Sequence, residues 1–157
     1  MPSNRVGGGA AVEMWNDIGG SLIDSAPWGA LWVSEDGLVR AANPAAERML
    51  GTGPGGLLGR SLAEPGLHAV FDDGSVCSAD RHPVTIAGLS STAVRRVIGV
   101  STTAAGVRRW FDVSAVPDTP AERSKTVPVF VTLVDVTEWH ALEAGHEQSR
   151  VAQRMEA

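Results

Sequence analysis

The chain has 157 residues, 43% of them apolar, with 18 acidic and 13 basic side chains for a formal charge of -5. That size and apolar share suit one domain with a real core. A single lysine, Lys125, against twelve arginines leaves no basic stripe, and no apolar run reaches the length of a membrane span, so neither nucleic acid nor a membrane is expected as a partner.

Residues 1–20 are predicted to form a flexible leader, glycine-rich at its start, with a short helical piece over Glu13 to Ile18. The leader lacks the apolar stretch of a secretory signal. The one cysteine, Cys77, has no internal disulfide partner. Both features fit a reducing, cytoplasmic setting. Ser21 to Ser25 reads as a second helical piece after Gly19-Gly20. Ala30 to Val33 has strand character, and Glu35-Asp36-Gly37 is a turn leading into Leu38 to Ala42, which together predict a hairpin. Asn43-Pro44 then starts a short amphipathic helix through Leu50, stopped by Gly51. The glycine-rich loop GTGPGG and the segment LLGRSL follow.

From Ala63 to Ser91 the pattern is least regular. His82-Pro83 predicts a short helix through Ile86 and Ala87, ending near Gly88. Three strands come next, over Ala93 to Ser101, Val107 to Val116 and Val127 to Val134, the last a nearly continuous apolar run as in a central strand. A loop carrying Pro117, Pro120 and Lys125 separates the second from the third. The last strand passes through Asp135-Val136-Thr137-Glu138 directly into a helix. Asp135 and Thr137 can accept hydrogen bonds from the amides of the first helical turn, and Glu138 sits where the helix dipole favours an anion. The predicted fold is α+β: a five-stranded antiparallel sheet with short helices on one face and a C-terminal output helix.

Five segments in this order resemble the PAS domain family over roughly Leu22 to Leu142. EDGLVRAANPAAERMLG is similar to the family's hairpin, asparagine and short helix ending in Leu-Gly, and LLGRSL to its next small helix. DRHPVTIAGL, preceded by the Asp73-Gly74 turn, resembles the helix of one PAS subgroup. RRWFDVSAVP resembles the strand with a conspicuous tryptophan, and DVTE the Asp-x-Thr that closes the domain. The resemblance divides the chain into a leader (1–20), a PAS domain (21–136) and a signalling helix (137–157). It implies a sensory or protein-interaction module that hands a signal to an appended or partner effector domain, such as a kinase, phosphatase or cyclic-dinucleotide enzyme, and acts as a homodimer.

Candidate chemistry is sparse. Cys77 lies in GSVCSADR, without the aromatic and glutamine that would cradle a flavin, so it reads as a structural thiol. His82 occupies the helix on which haem-binding PAS domains carry an axial ligand, but Pro83 places it at the helix start, as a cap. Haem and flavin are therefore disfavoured, and the cofactor stays open. His68 has no evident partner. His140 and His146 point about 120° apart on a helix and cannot readily clamp one metal. His146-Glu147 is followed by QSRVAQ, which does not match a phospho-acceptor box. No nucleophile elbow, phosphate loop or carboxylate pair marks an enzyme.

On the strand around Trp110, the set Trp110, Asp112 and Ser114 faces away from Phe111, Val113 and Ala115. One of these faces must line the space between sheet and helices. Trp32, His82, Trp110 and Asp112 are thus candidates for a pocket that takes a small apolar or aromatic ligand. Asn43, Asp135 and Thr137 are the expected junction residues, holding the strand-to-helix corner and the output helix. On that helix Ala141, Ala144, Gln148, Val151 and Met155 recur at coiled-coil spacing, a marginal dimer seam because its side chains are small or polar. The sequence thus supports a sensor that binds a small ligand or a protein partner, with a ligand-free dimerisation module as the alternative.

Overall fold

Strands β1 (Gly29–Val33), β5 (Arg108–Pro117) and β6 (Val129–Asp135) alternate or saturate in apolar residues, and they form the centre of the sheet. The computed structural model describes Trp15 and residues 20–63, 69–101, 107–118 and 127–156, with side chains up to residue 146. The remaining elements are α1 (Gly20–Ser25), β2 (Val39–Ala42), α2 (Pro44–Met49), β3 (Val70–Phe71), a 3-10 turn (Ala79–Arg81), α3 (Pro83–Ser90), β4 (Val94–Ser101) and α4 (Thr137–Glu156). The strand order is β2-β1-β6-β5-β4-β3, every pair antiparallel.

Strand pleating assigns alternate residues to opposite faces. On the inner face Leu31, Val33, Ile98, Val100, Phe111, Val113, Val129 and Val131 pack with Ala46 and Leu50 of the α2 segment and Val84 and Ala87 of α3. Burying each large side chain stabilises the fold by about 1.5–3 kcal/mol before chain entropy is counted. On the outer face Ala30, Trp32 and Ala41 meet Trp15, Ile23 and Phe130 in a smaller cluster. β1 is therefore covered on both faces, and all five of its residues are buried.

The antiparallel α+β architecture, its short helices and its terminal helix match the expected fold class. The sheet has one strand more than predicted. β3 is only two residues long and pairs Phe71 with Ile98 at the sheet edge, too short for period-two alternation to reveal. α3 also runs on through Gly88 to Ser90 instead of stopping at the glycine. Val127 donates its backbone N–H to the Gly88 carbonyl at 3.0 Å, which ties α3 to the chain entering β6. The helix ends one residue later, at Ser91, whose φ of 54° is left-handed.

Most of the predicted leader, His68, the loop holding Pro120 and Lys125, and the side chains of Gln148, Val151 and Met155 lie outside the described residues. None of the described helices is long and apolar enough to cross a membrane.

Candidate functional site

Asn43 caps α2 and binds three elements at once. Its Oδ1 accepts from the backbone N–H of Ala46, in the helix, and of Ala30, in β1, each at 2.9 Å. Its Nδ2 donates to the carbonyls of Ile23 at 2.8 Å and Trp28 at 3.0 Å. All four of its hydrogen-bonding positions are used, so the side chain can be fully buried without loss. One turn on, the buried Glu47 accepts from the N–H of Gly55 and so anchors the glycine-rich loop.

The second corner joins β6 to α4. Asp135 Oδ1 accepts from the Thr137 N–H at 3.0 Å and from the Thr137 hydroxyl at 2.6 Å, while Oδ2 accepts from Arg109 Nε at 3.1 Å and also pairs with its terminal nitrogen. Burial pushes this carboxyl up, but the bonds from Thr137 and Arg109 and the guanidinium charge outweigh it and hold Asp135 below the usual carboxylate range. Thr137 differs from expectation. Its hydroxyl oxygen accepts from the Trp110 N–H at 3.0 Å, in β5, and does not cap its own helical turn. Val136 donates its N–H to the Trp110 carbonyl at 2.8 Å, and accepts at its own carbonyl from the His140 N–H, also at 2.8 Å. The helix thus starts as a continuation of the β5–β6 ladder, with a threonine hydroxyl standing where a strand carbonyl would be.

A ring stack reinforces this link. The Trp110 indole and the His140 imidazole lie with centroids 3.8 Å apart and 12° from parallel. Below the indole lies Gly99, where a Cβ would fall 2.9 and 3.0 Å from two indole carbons and 2.7 Å from Arg108 Cδ. The indole is held between a glycine floor in β4 and a histidine roof in α4. β4, β5 and α4 therefore meet at one side chain.

On the inner face Leu50, Leu62, Ala69, His82, Ile98, Val100, Phe111, Val113 and Leu133 enclose a cavity of about 30 Å³. A space of that size has room for only about one or two waters, so a haem or flavin ring does not fit this arrangement of side chains. His82 is its single polar wall residue. Its Nδ1 accepts from the Val84 N–H at 3.2 Å as the N-cap of α3, and burial pushes its pKa down from 6.5 to about 4. Cys77 is buried in the same core, and burial pushes its thiol up, away from the reactive thiolate.

Of the four expected pocket residues, only His82 lines this cavity. Trp32 belongs to the outer cluster with Trp15 and Ile23, and Trp110 is under His140. Asp112 also faces outward, where Arg95 Nε contacts its two oxygens at 2.9 and 3.0 Å. The cavity face of β5 is instead the one carrying Phe111 and Val113. Gly99, Arg109 and His140 carried no signal of their own in the sequence, because their roles depend on cross-strand register: Gly99 faces Trp110, and Phe111 faces Asp135.

A family model described as PAS fold matches residues 23–141. Among solved structures, the PAS domain of nitrogen regulation protein NR(II) from Vibrio parahaemolyticus is 18% identical with a TM-score of 0.53, covering 73% of this chain and 94% of that one. A sensory box histidine kinase/response regulator from Burkholderia thailandensis E264 is 15% identical with a TM-score of 0.61, covering 87% of this chain and 97% of the other. An RNA-binding light-oxygen-voltage receptor is 18% identical with a TM-score of 0.64 over 92% of this chain, which spans 39% of that receptor. No curated protein matches the chain.

Proposed function

The chain belongs to the PAS family, and from that membership we propose that it is a cytoplasmic sensory module whose sheet passes a signal into α4 and onward to an effector domain. The observation that carries this reading is the shared attachment of β5 and α4: the Thr137 hydroxyl on the Trp110 N–H, backed by the His140 stack. A shift of β5 changes the acceptor position of Thr137 and the seat of His140 together, so the helix responds as a body. Effectors of the histidine-kinase kind are suggested by the origin of the Burkholderia structure. α4, at 20 residues, reaches about 30 Å from the sheet, enough to present a partner helix in a homodimer.

A small ligand on the inner face, beside His82, would move β5 through Phe111 and Val113, which line the cavity. The tight packing there favours a second reading, in which a protein partner supplies the signal at exposed apolar residues such as Trp139 and Leu142. Mass spectrometry of small molecules extracted from the purified protein, with a thermal-shift screen of metabolites, separates the two. Ligand sensing predicts a compound that raises the melting temperature and alters amide exchange in α4. A screen without any stabilising compound, with a partner that protects Trp139 and Leu142, would establish the interaction module instead.

A further inference from the structure

The inner rim at β3 carries an arrangement that the signalling account does not use. Phe71 is fully buried, yet two guanidinium groups lie over its ring: Arg96 Cζ at 4.0 Å and Arg81 Cζ at 4.7 Å from the centroid. Both distances are inside the roughly 6 Å range of cation–π attraction, which places the two guanidinium carbons less than about 9 Å apart. Arg81 comes from the 3-10 turn before α3, and Arg96 from β4, on the same sheet face as Ile98. Among the described residues neither guanidinium has a carboxylate within 4 Å.

Asp73 is held below the usual carboxylate range first by its Ser75 bonds and then, across a gap longer than an ion pair, by the charges of Arg81 and Arg96; Asp80 is held low mainly by Ser78, with Arg81 adding a weaker pull. Asp73 Oδ1 accepts from the N–H of Ser75 at 2.8 Å and from its hydroxyl at 2.5 Å, closing the β3 turn. Asp80 Oδ1 accepts from the Ser78 hydroxyl at 2.6 Å. Arg95, the next residue along β4, makes the contrast: it points to the opposite face and is paired with Asp112. Two like charges less than about 9 Å apart repel each other, and an anion that reaches both guanidinium groups lessens that repulsion. A planar guanidinium fork matches the oxygens of a carboxylate or phosphate.

We propose that Arg81 and Arg96, steadied on the Phe71 ring, form a binding site for a small oxyanion, a phosphate or carboxylate group. Arg81 precedes His82, the N-cap of α3, so an anion held here ties the start of α3 to β4. The site stands apart from the Trp110 junction and does not depend on the signalling role.

The test titrates the full chain with inorganic phosphate and, separately, with succinate, at constant ionic strength, following the backbone amide NMR signals around Phe71, Arg81 and Arg96. At constant ionic strength, general screening does not produce a saturable shift. The expected result is saturable shifts confined to these residues with at least one of the two anions, and the stronger arm identifies the preferred oxyanion. Arg81→Gln and Arg96→Gln should each weaken the response about fivefold or more, whereas Arg95→Gln should leave it unchanged. Shifts that fail to saturate with both anions, or that persist in Arg81→Gln and Arg96→Gln, would overturn the proposal. The folded state of each variant is checked in the same spectra by the dispersion of the core amides.

Discussion

Trp110 and His140 are stacked 3.8 Å apart, one in the sheet and the other in the first turn and a half of the terminal helix. The contact converts a covalent connection, the Asp135-Val136-Thr137 corner, into a docked one, in which α4 has a fixed seat on β5. His140→Ala should cost about 0.5–1.5 kcal/mol, the usual worth of an aromatic pair, and should speed amide exchange in α4 while the inner core keeps its protection. Denaturant melts of the two proteins, with exchange followed by mass spectrometry, check both parts.

Gly99 should tolerate no side chain while the stack is intact. Gly99→Ala places a methyl group 2.9 Å from the indole and 2.7 Å from Arg108. The long Arg108 side chain can swing aside, but the ring can yield only by leaving His140. A loss on the order of 1–3 kcal/mol and a shifted tryptophan emission are expected. Unchanged emission would mean that the ring accommodates the methyl in place.

Asn43→Ala removes both acceptor bonds and both donor bonds of a buried side chain, leaving the N–H groups of Ala30 and Ala46 without their partner. A loss of about 2–4 kcal/mol is expected from the cap and the unpaired groups together. Asn43→Asp keeps the two accepted bonds but turns a donor into a buried charge against two carbonyls, so it should be no milder. Thermal melts rank the variants.

Acid should weaken the fold in two stages. Burial lowers the His82 pKa from 6.5 to about 4, so the folded state holds the neutral imidazole. That contribution is complete above 6.5 and is lost as pH falls from 6.5 toward 4, because the unfolded chain binds the proton first; over the whole window it amounts to about 3 kcal/mol. Asp135 is held below its ordinary value, so its contribution is present above that value and is lost only at lower pH, as the folded-state group takes its proton. His82→Asn keeps a cap acceptor for Val84 and should flatten the upper stage of a stability-against-pH curve while leaving the lower stage.

Much of the fold was legible because it rests on local patterns. Alternation in RRWFDVSAVP, the continuous apolar run before Asp135, and Asn43-Pro44 at a helix start each declare an element from within a few residues. The signals that failed were non-local. β3 exists because Phe71 meets Ile98 across the sheet edge, and the Gly88 carbonyl, inside α3, takes a bond from Val127 far along the chain. The outward direction of Trp32 and Trp110 follows from strand register, and a shift of one residue would have exchanged the faces. For the same reason the sequence could place Thr137 at the corner but not foresee its bond to Trp110, 27 residues earlier in the chain.

The most direct test of the coupling between sheet and helix is hydrogen exchange on Thr137→Val, which keeps the shape of the side chain and deletes the hydroxyl that accepts from Trp110. The account predicts that protection falls together at the Trp110 amide and through the first turns of α4, with a stability loss of about 1–2 kcal/mol, while amides of β1 and β2 stay protected. Loss at Trp110 alone, with α4 exchanging as before, would show that the helix is seated independently of β5 and would contradict it.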